Sequence, residues 1–447
     1  MIFSINKHLS DIFFLLFSVV ILTLGFFYNF WNTADESWFE SHQKYSESLV
    51  IGRMVTAKEE GIASNSMLLG EYSNIPSGSG HPQDQYRLFG KSLEGGEYTT
   101  YNGQIGLQGT VFSIIGKYTN FKPGNTIILF NLITSFIFSS LLSIIIIWVS
   151  REFGFVSSLF VLFSIVCSQW LIVFGRNLYW VFWTMYLPFI VSLILLQLED
   201  CGRKYSHVIS FFSIYFAVML KCVNGYEYIS TVLVAMVTPY VYYAYSRGWK
   251  FKKMSGRIMV VGAASLLAFF STIAVHIYQL SLRFGSIQKG IDSILYDVAK
   301  RTHGSSDKVE EVYRASLEVD LFAVIMTYLD VPLFGGVSSW GKSIVIVVIF
   351  IIASFIGYFL QKYSPTIYKE KKKLIALVLM VWFSFFAPLS WYILAKGHSY
   401  IHIHMNPVLW HLPFTLLGFA LVGKVVGLFF MDYLKNHNIF QKIKLDL

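Results

Sequence analysis

The stretch NTIILFNLITSFIFSSLLSIIIIWV, residues 125–149, contains no Asp, Glu, Lys or Arg. An apolar helix of about 20 residues is long enough to cross the hydrocarbon core of a bilayer. This stretch exceeds that length, and its polar residues are limited to Asn, Ser and Thr. It therefore predicts a transmembrane helix.

The composition of the whole chain indicates the same environment. Of its 447 residues, 55% are hydrophobic, 18% are aromatic and only 14% are charged, and the mean hydropathy is +0.56. A water-soluble domain with this balance would need a core too large for its length. The net charge of +9 does not indicate a nucleic-acid partner, because membrane proteins concentrate Lys and Arg in cytoplasmic loops.

Nine further stretches are long and apolar enough to be read as spans. We therefore expect an all-α polytopic membrane protein with about ten transmembrane helices, forming a single integral-membrane domain over residues 1–447. The predicted spans are 11–30, 125–149, 155–174, 179–198, 207–222, 228–245, 258–279, 343–361, 374–395 and 408–430.

The distribution of Lys and Arg predicts the orientation of these spans. With the N-terminus in the cytoplasm, the short inner segments hold 18 Lys and Arg residues, whereas the short outer turns hold only Arg176, Lys221 and Lys396. This asymmetry follows the positive-inside rule, and an even number of spans returns the C-terminus to the cytoplasm. Residues 31–124 and 280–342 then form two large loops on the outer side.

Both outer loops are expected to contain helices. In the first loop, residues 37–68 predict a helix, and the Gly-, Ser- and Pro-rich residues 74–85 predict irregular chain. In the second loop, residues 291–304 and 309–329 have the amphipathic pattern of helices that lie along a membrane surface.

Two adjacent carboxylates, Asp35 and Glu36, follow the first predicted span in the sequence FWNTADESWFE, residues 30–40. A carboxylate at a membrane boundary can have a raised pKa and serve as general base for a hydroxyl nucleophile. Alternatively, Thr33 or Asp35 caps the helix that follows, with acidic residues in its first turn. The residue types alone leave both interpretations open.

A group of basic and imidazole side chains lies in the turn between the last two predicted spans. Its members are Lys396, His398, His402, His404 and His411. Such groups at a membrane edge can hold the anionic head of a polyprenyl phosphate. Two alternatives remain: interfacial packing of the rings, and a divalent metal site based on the i, i+2 pair of histidines, for which the spacing gives no specific support.

Three residues in short outer turns also have two interpretations each. Arg176 can bind a phosphate bidentately or extend towards lipid phosphates. Lys221 can contribute to a donor-phosphate site and Glu227 to an acceptor pocket, or the two can pair with each other.

The order of these features resembles the GT-C class of integral-membrane glycosyltransferases: a first span, a DE pair with aromatic residues close behind, a helix in a long outer loop and many further spans. Within the class, the chain looks most like enzymes that modify bacterial surface polysaccharide, such as serotype-converting glucosyltransferases. The resemblance implies that Asp35, with Glu36 second in line, is the catalytic base. It also implies a polyprenyl-phosphate sugar donor, a polysaccharide or lipid-linked glycan acceptor, no required cofactor and a bacterial inner-membrane location.

Two other functions fit the same features. A polymerase or ligase of O-antigen type would depend on Arg176 and the histidine turn and would not need a carboxylate after the first span. A flippase or transporter of lipid-linked oligosaccharide would need ionisable residues in the middle of its spans. The predicted span interiors are almost free of charge, which favours chemistry at the outer edge.

Overall fold

The computed structural model describes residues 2–80, 82–119, 121–335, 341–363 and 370–436. The structure is 77% helical. Among the described residues, the sheet is limited to two antiparallel strands, β1 (Gly70–Ser73) and β2 (Glu97–Thr100), with Gly70 opposite Thr100. Part of the predicted cytoplasmic charge, on residues 364–369 and 437–447, lies outside the described residues.

The first nine helices occupy the first four predicted spans and parts of the first outer loop. They are α1 (Ile2–Tyr28), α2 (Glu36–Trp38), α3 (Lys44–Glu59), α4 (Gln83–Phe89), α5 (Leu107–Tyr118), α6 (Pro123–Phe153), α7 (Phe155–Val166), α8 (Gln169–Gly175) and α9 (Trp183–Asp200).

The remaining helices include the second outer loop and the last predicted spans. They are α10 (His207–Val223), α11 (Ile229–Ser246), α12 (Phe251–Phe284), α13 (Ile287–Arg301), α14 (Glu311–Glu318), α15 (Leu321–Asp330), α16 (Ser343–Tyr363), α17 (Lys371–Ser384), α18 (Phe386–Leu394), α19 (Lys396–Ile401) and α20 (Phe414–Asn436).

Six helical segments of the described chain are long and apolar enough to cross a membrane. They are Leu9–Tyr28, Pro123–Phe153, Phe251–Phe284, Ser343–Leu360, Lys371–Leu394 and Phe414–Met431. The bent pair α7 and α8, with an angle of 71° between them, makes a seventh if it counts as one span. A helical polytopic membrane protein is therefore confirmed.

Helices also occupy the other three predicted spans, as α9, α10 and α11, but these do not meet the same test of length and apolar character. The total of ten spans and the cytoplasmic location of both termini therefore stay predictions.

The surface supports the membrane assignment. Phe13 on α1 is 73% exposed, and Phe270 on α12 and Phe355 on α16 are each 61% exposed. Contiguous exposed apolar surface is unfavourable in water but is what a lipid-facing helix presents. The interior is formed where α1 packs on α6, α7 on α20, α10 on α12, and α9 and α17 on α11.

The loops differ in detail from the expectations. The helix predicted over residues 37–68 ends at Glu59, and its start is a π-helical turn, Phe39–Gln43, between α2 and α3. The sequence did not predict the β1–β2 pair. The segment 309–329 forms two helices rather than one, because Asp320 accepts a hydrogen bond from Ala323 N and starts α15.

We predict that Gly418→Val destabilises the bundle. A Cβ at Gly418 on α20 would overlap the ring of Phe350 on α16, and a glycine at such a contact lets two membrane helices approach closely. Overpacking of this kind costs about 1–3 kcal/mol, so the thermal unfolding midpoint in detergent should fall. Gly262→Val is the matched control, since a Cβ there meets nothing within 4 Å; equal midpoints for both variants would contradict the packing.

Candidate functional site

A cavity of about 620 Å³ lies among residues of both outer loops and of the turns between predicted spans. We call it the histidine cavity. Side chains that line it include His42, Tyr101, Trp180, Glu227, Arg301 and His402. The cavity therefore brings together residues that lie far apart in the sequence.

Four histidines form one wall of the histidine cavity: His42, His398, His402 and His404. The ring centroids of His398 and His402 are 4.3 Å apart, those of His402 and His404 are 5.5 Å apart, and those of His404 and His42 are 5.3 Å apart. The sequence predicted three members of this cluster. It missed His42, which the π-helical turn carries to the wall and which no pattern in the sequence indicated.

Burial keeps these imidazoles uncharged at neutral pH. Burial, with the neighbouring His404, lowers the pKa of His42 to about 4 and that of His402 to about 4. Burial also lowers the pKa of His398 and of His404. The histidines can therefore donate and accept hydrogen bonds at neutral pH, but they do not supply the positive charge that the sequence led us to expect from them.

Asn406 sets the tautomer of one of these rings. Its amide nitrogen lies 3.3 Å from His398 Nδ1, and its amide oxygen accepts a hydrogen bond from Tyr228 Oη at 2.8 Å. Because the amide nitrogen is a donor, Nδ1 of the neutral ring is the acceptor and Nε2 carries the proton.

The positive charge of the histidine cavity comes from the end of α13. Arg301 Nη1 lies 3.4 Å from Glu227 Oε1, and Arg301 Nη2 donates a hydrogen bond to Tyr101 Oη at 2.8 Å. Lys300 also lines the cavity and pairs with Asp297 at 2.6 Å. Lys300 and Arg301 were not predicted as site residues, although adjacent cations at the end of an amphipathic outer-loop helix are a usable signal.

A second cavity of about 240 Å³, the apolar cavity, adjoins the first. Its walls come mainly from α11, α12, α13 and α18, with Phe269, Ile273 and Leu394 among the lining side chains. Two residues line both cavities, Glu227 and Arg301. An ion pair therefore stands where a cavity rich in imidazole and charged groups meets an apolar one.

Two buried nitrogen atoms of residues that line the histidine cavity have no hydrogen-bond partner among the described residues: Trp180 Nε1 and His402 Nδ1. Trp180 is only 6% exposed, and its ring stacks on Tyr228 with centroids 5.2 Å apart. A buried polar group without a partner is costly. Both atoms are enclosed by protein, so neither is exposed to the cavity.

The acidic pair after the first predicted span does not line either cavity. Asp35 is exposed and caps α2, since its carboxylate accepts a hydrogen bond from Ser37 N at 2.8 Å. Hydrogen bonds from Ser37 lower the pKa of Asp35, whereas a raised pKa was expected of a catalytic base at this position. Glu36 is exposed in the first turn of the same helix.

Three predicted ligand-binding residues make contacts within the protein. Lys221 is 2% exposed and donates to the carbonyl of Gly225 at 2.6 Å. Lys396 donates to the carbonyls of Leu317 and Val319. Glu227 makes its ion pair with Arg301 rather than with Lys221, the partner that the sequence suggested.

His411 and Arg176 also lie outside the cavity linings. His411 is fully buried, with one ring nitrogen 3.0 Å from Ser168 Oγ and the other 2.8 Å from Thr415 Oγ1. The Arg176 guanidinium donates to Gln43 Oε1 at 2.8 Å and to the Phe27 carbonyl at 2.7 Å. Both side chains connect structural elements to one another.

The metal alternative gains no support. Among the residues that the structure describes, no group of three or more His, Cys, Asp or Glu side chains is arranged to hold a metal ion. His402 and His404 instead pack ring against ring within the histidine cluster.

We predict that the buried histidines make the folded protein less stable in acid. His42 and His402 have a pKa of about 4 in the folded chain and about 6.5 when unfolded. The unfolded chain therefore binds more protons, so stability falls as the pH drops from about 6.5 towards 4. The double variant His42→Gln/His402→Gln should show a smaller drop in unfolding midpoint between pH 7.5 and 4.5 than the wild type.

The control for this measurement is His207→Gln, which changes an exposed histidine at the start of α10. It should keep the wild-type pH dependence. If the unfolding midpoint of the double variant fell between pH 7.5 and 4.5 as much as that of the wild type, burial would not hold the two histidines neutral.

Comparisons of the chain with protein-family models, with curated proteins and with solved structures find no match.

Proposed function

We propose that this protein transfers a sugar from a polyprenyl-phosphate donor to a glycan or lipid-linked acceptor, at the outer face of a bacterial inner membrane. The observation that carries the proposal is that the histidine cavity and the apolar cavity meet at Glu227 and Arg301. The GT-C resemblance of the sequence points to the same activity.

The two cavities suit a ligand with one polar end and one apolar end. A polyprenyl-phosphate sugar has a hydroxyl-rich head, an isoprenoid chain and a phosphate between them. With the first isoprene units of the chain in the apolar cavity and the sugar in the histidine cavity, the phosphate lies against Arg301. A guanidinium is well suited to that position, because its fork of donors matches phosphate oxygens.

The charges fit the chemistry of transfer. When the sugar leaves, the phosphate gains negative charge, and Arg301 and Lys300 can balance it in a site that excludes much of the water. The neutral imidazoles and Tyr101 offer hydrogen bonds to sugar hydroxyls without adding charge. No nucleotide or metal is required for this step.

A flippase for lipid-linked oligosaccharide would bind the same kind of amphiphile, and so would a polymerase or ligase. A flippase breaks no bond in its cargo. Release of free polyprenyl phosphate from a labelled donor therefore separates transfer from transport, and the length of the product separates addition of one sugar from polymerisation.

We predict that Arg301→Gln lowers transfer by about 10- to 100-fold, because a charge-assisted hydrogen bond is worth about 1.5–3 kcal/mol. Arg301→Lys should recover part of the activity, since it keeps the charge but loses the bidentate geometry. The measurement is release of polyprenyl phosphate from a panel of polyprenyl-phosphate [14C]hexoses in proteoliposomes.

Arg314→Gln is the matched control, because Arg314 is an exposed arginine on the neighbouring helix α14. Its rate should equal that of the wild type. If a folded Arg301→Gln protein had wild-type activity, the donor phosphate would not bind at Arg301.

A further inference from the structure

The transfer reaction needs a group that takes the proton of the acceptor hydroxyl. We infer that Glu227, and not Asp35, is this general base. The inference rests on the proposed function and assigns a catalytic residue within it.

The link between α10 and α11 holds Glu227 at the junction of the two cavities. Glu227 is 4% exposed and lines both cavities. Gly225 has φ +135°, and a Cβ there would lie 2.6 Å from Glu227 Oε2. Lys221 Nζ donates to the Gly225 carbonyl and closes the turn. The glycine thus leaves room for the carboxylate, and the turn fixes its position.

The phosphate site determines which bond Glu227 faces. The bond that breaks joins the anomeric carbon of the sugar to a phosphate oxygen. If the phosphate lies against Arg301, this bond lies at the entrance of the histidine cavity. Glu227 Oε1 is 3.4 Å from Arg301 Nη1, which places the carboxylate beside the bound donor. The acceptor hydroxyl attacks from the side opposite the phosphate oxygen, so the sugar must lie between the phosphate and Glu227 for the carboxylate to take the proton.

The step balances without a further reactant. The acceptor oxygen forms a bond to the anomeric carbon while the bond from that carbon to the phosphate oxygen breaks. The bonding electron pair leaves with polyprenyl phosphate, whose charge Arg301 and Lys300 balance. The acceptor proton moves to Glu227. Once the phosphate shares the Arg301 guanidinium, a Glu227 oxygen is released to accept the hydrogen bond of the hydroxyl.

The other candidate bases are less well placed. Asp35 is exposed, is absent from both cavity linings and already accepts the capping hydrogen bond from Ser37 N. His398 uses its Nδ1 to accept from Asn406. His402 and His404 line the histidine cavity alone, whereas Glu227 lines both cavities.

The test combines two acceptors, a hydroxyl acceptor and azide. Azide attacks the anomeric carbon without losing a proton, so cleavage by azide needs the phosphate site but no base. With the panel of polyprenyl-phosphate [14C]hexoses, Glu227→Gln should lower transfer to the membrane polysaccharide by about 10²- to 10⁴-fold. The same variant should cleave the donor with azide at close to the wild-type rate. Glu227→Asp should restore part of the transfer.

Asp35→Asn serves as the competing variant. It should lower transfer by less than about tenfold, because it removes only a helix cap. A Glu227→Gln protein that transfers normally, or that is equally slow with azide, overturns the assignment of the base, and so does a larger loss in Asp35→Asn than in Glu227→Gln. A wild-type protein that cleaves no donor of the panel with either acceptor overturns the proposed function together with this inference.

Discussion

The buried carboxylate of Glu47 is the contact that fixes the outer loop on the membrane helices. Glu47 on α3 is 1% exposed, and burial raises its pKa against the opposing effect of its hydrogen bonds and of Arg176. Its oxygens accept hydrogen bonds from Gln43, Asn131, Leu178 N and Tyr86 at 2.8–3.0 Å. A buried acid is tolerated only when it is hydrogen-bonded in this way, so the position of α3 on the bundle is closely determined.

The histidine cavity depends on this anchor. The π-helical turn that carries His42 leads directly into α3, and Ser46 of α3, a cavity residue, accepts a hydrogen bond from Asn177. Arg176 holds Gln43 and lies 4.0 Å from the Phe39 ring centroid. Arg176, which the sequence suggested as a phosphate ligand, therefore supports the π-helical turn from behind the cavity lining. π-Helical turns are often found at functional sites, and here the turn brings a fourth histidine to the cluster.

The sequence predicted what depends on local composition and failed where distant segments meet. Apolar length alone was enough to predict a helical membrane protein. The turn after α18, which the sequence singled out, supplies three of the histidines that line the histidine cavity. Glu227 was found as well, but its partner was sought in Lys221, six residues before it, whereas Arg301 reaches it from the other outer loop. The bend between α7 and α8 and the β1–β2 pair were missed, because tertiary packing rather than periodicity produces them.

The ion pair at the junction of the cavities is a poor way to stabilise a fold. Glu227 is almost fully buried, and the Arg301 side chain is 18% exposed. Removing two such charges from water costs about as much as their attraction returns, so an apolar pair of similar volume would serve stability equally well. The turn at Gly225 and the hydrogen bond from Arg301 to Tyr101 add further constraints to hold these charges in place. Fixed charges at the edge of an apolar cavity are best explained by a ligand that brings its own charge to that point.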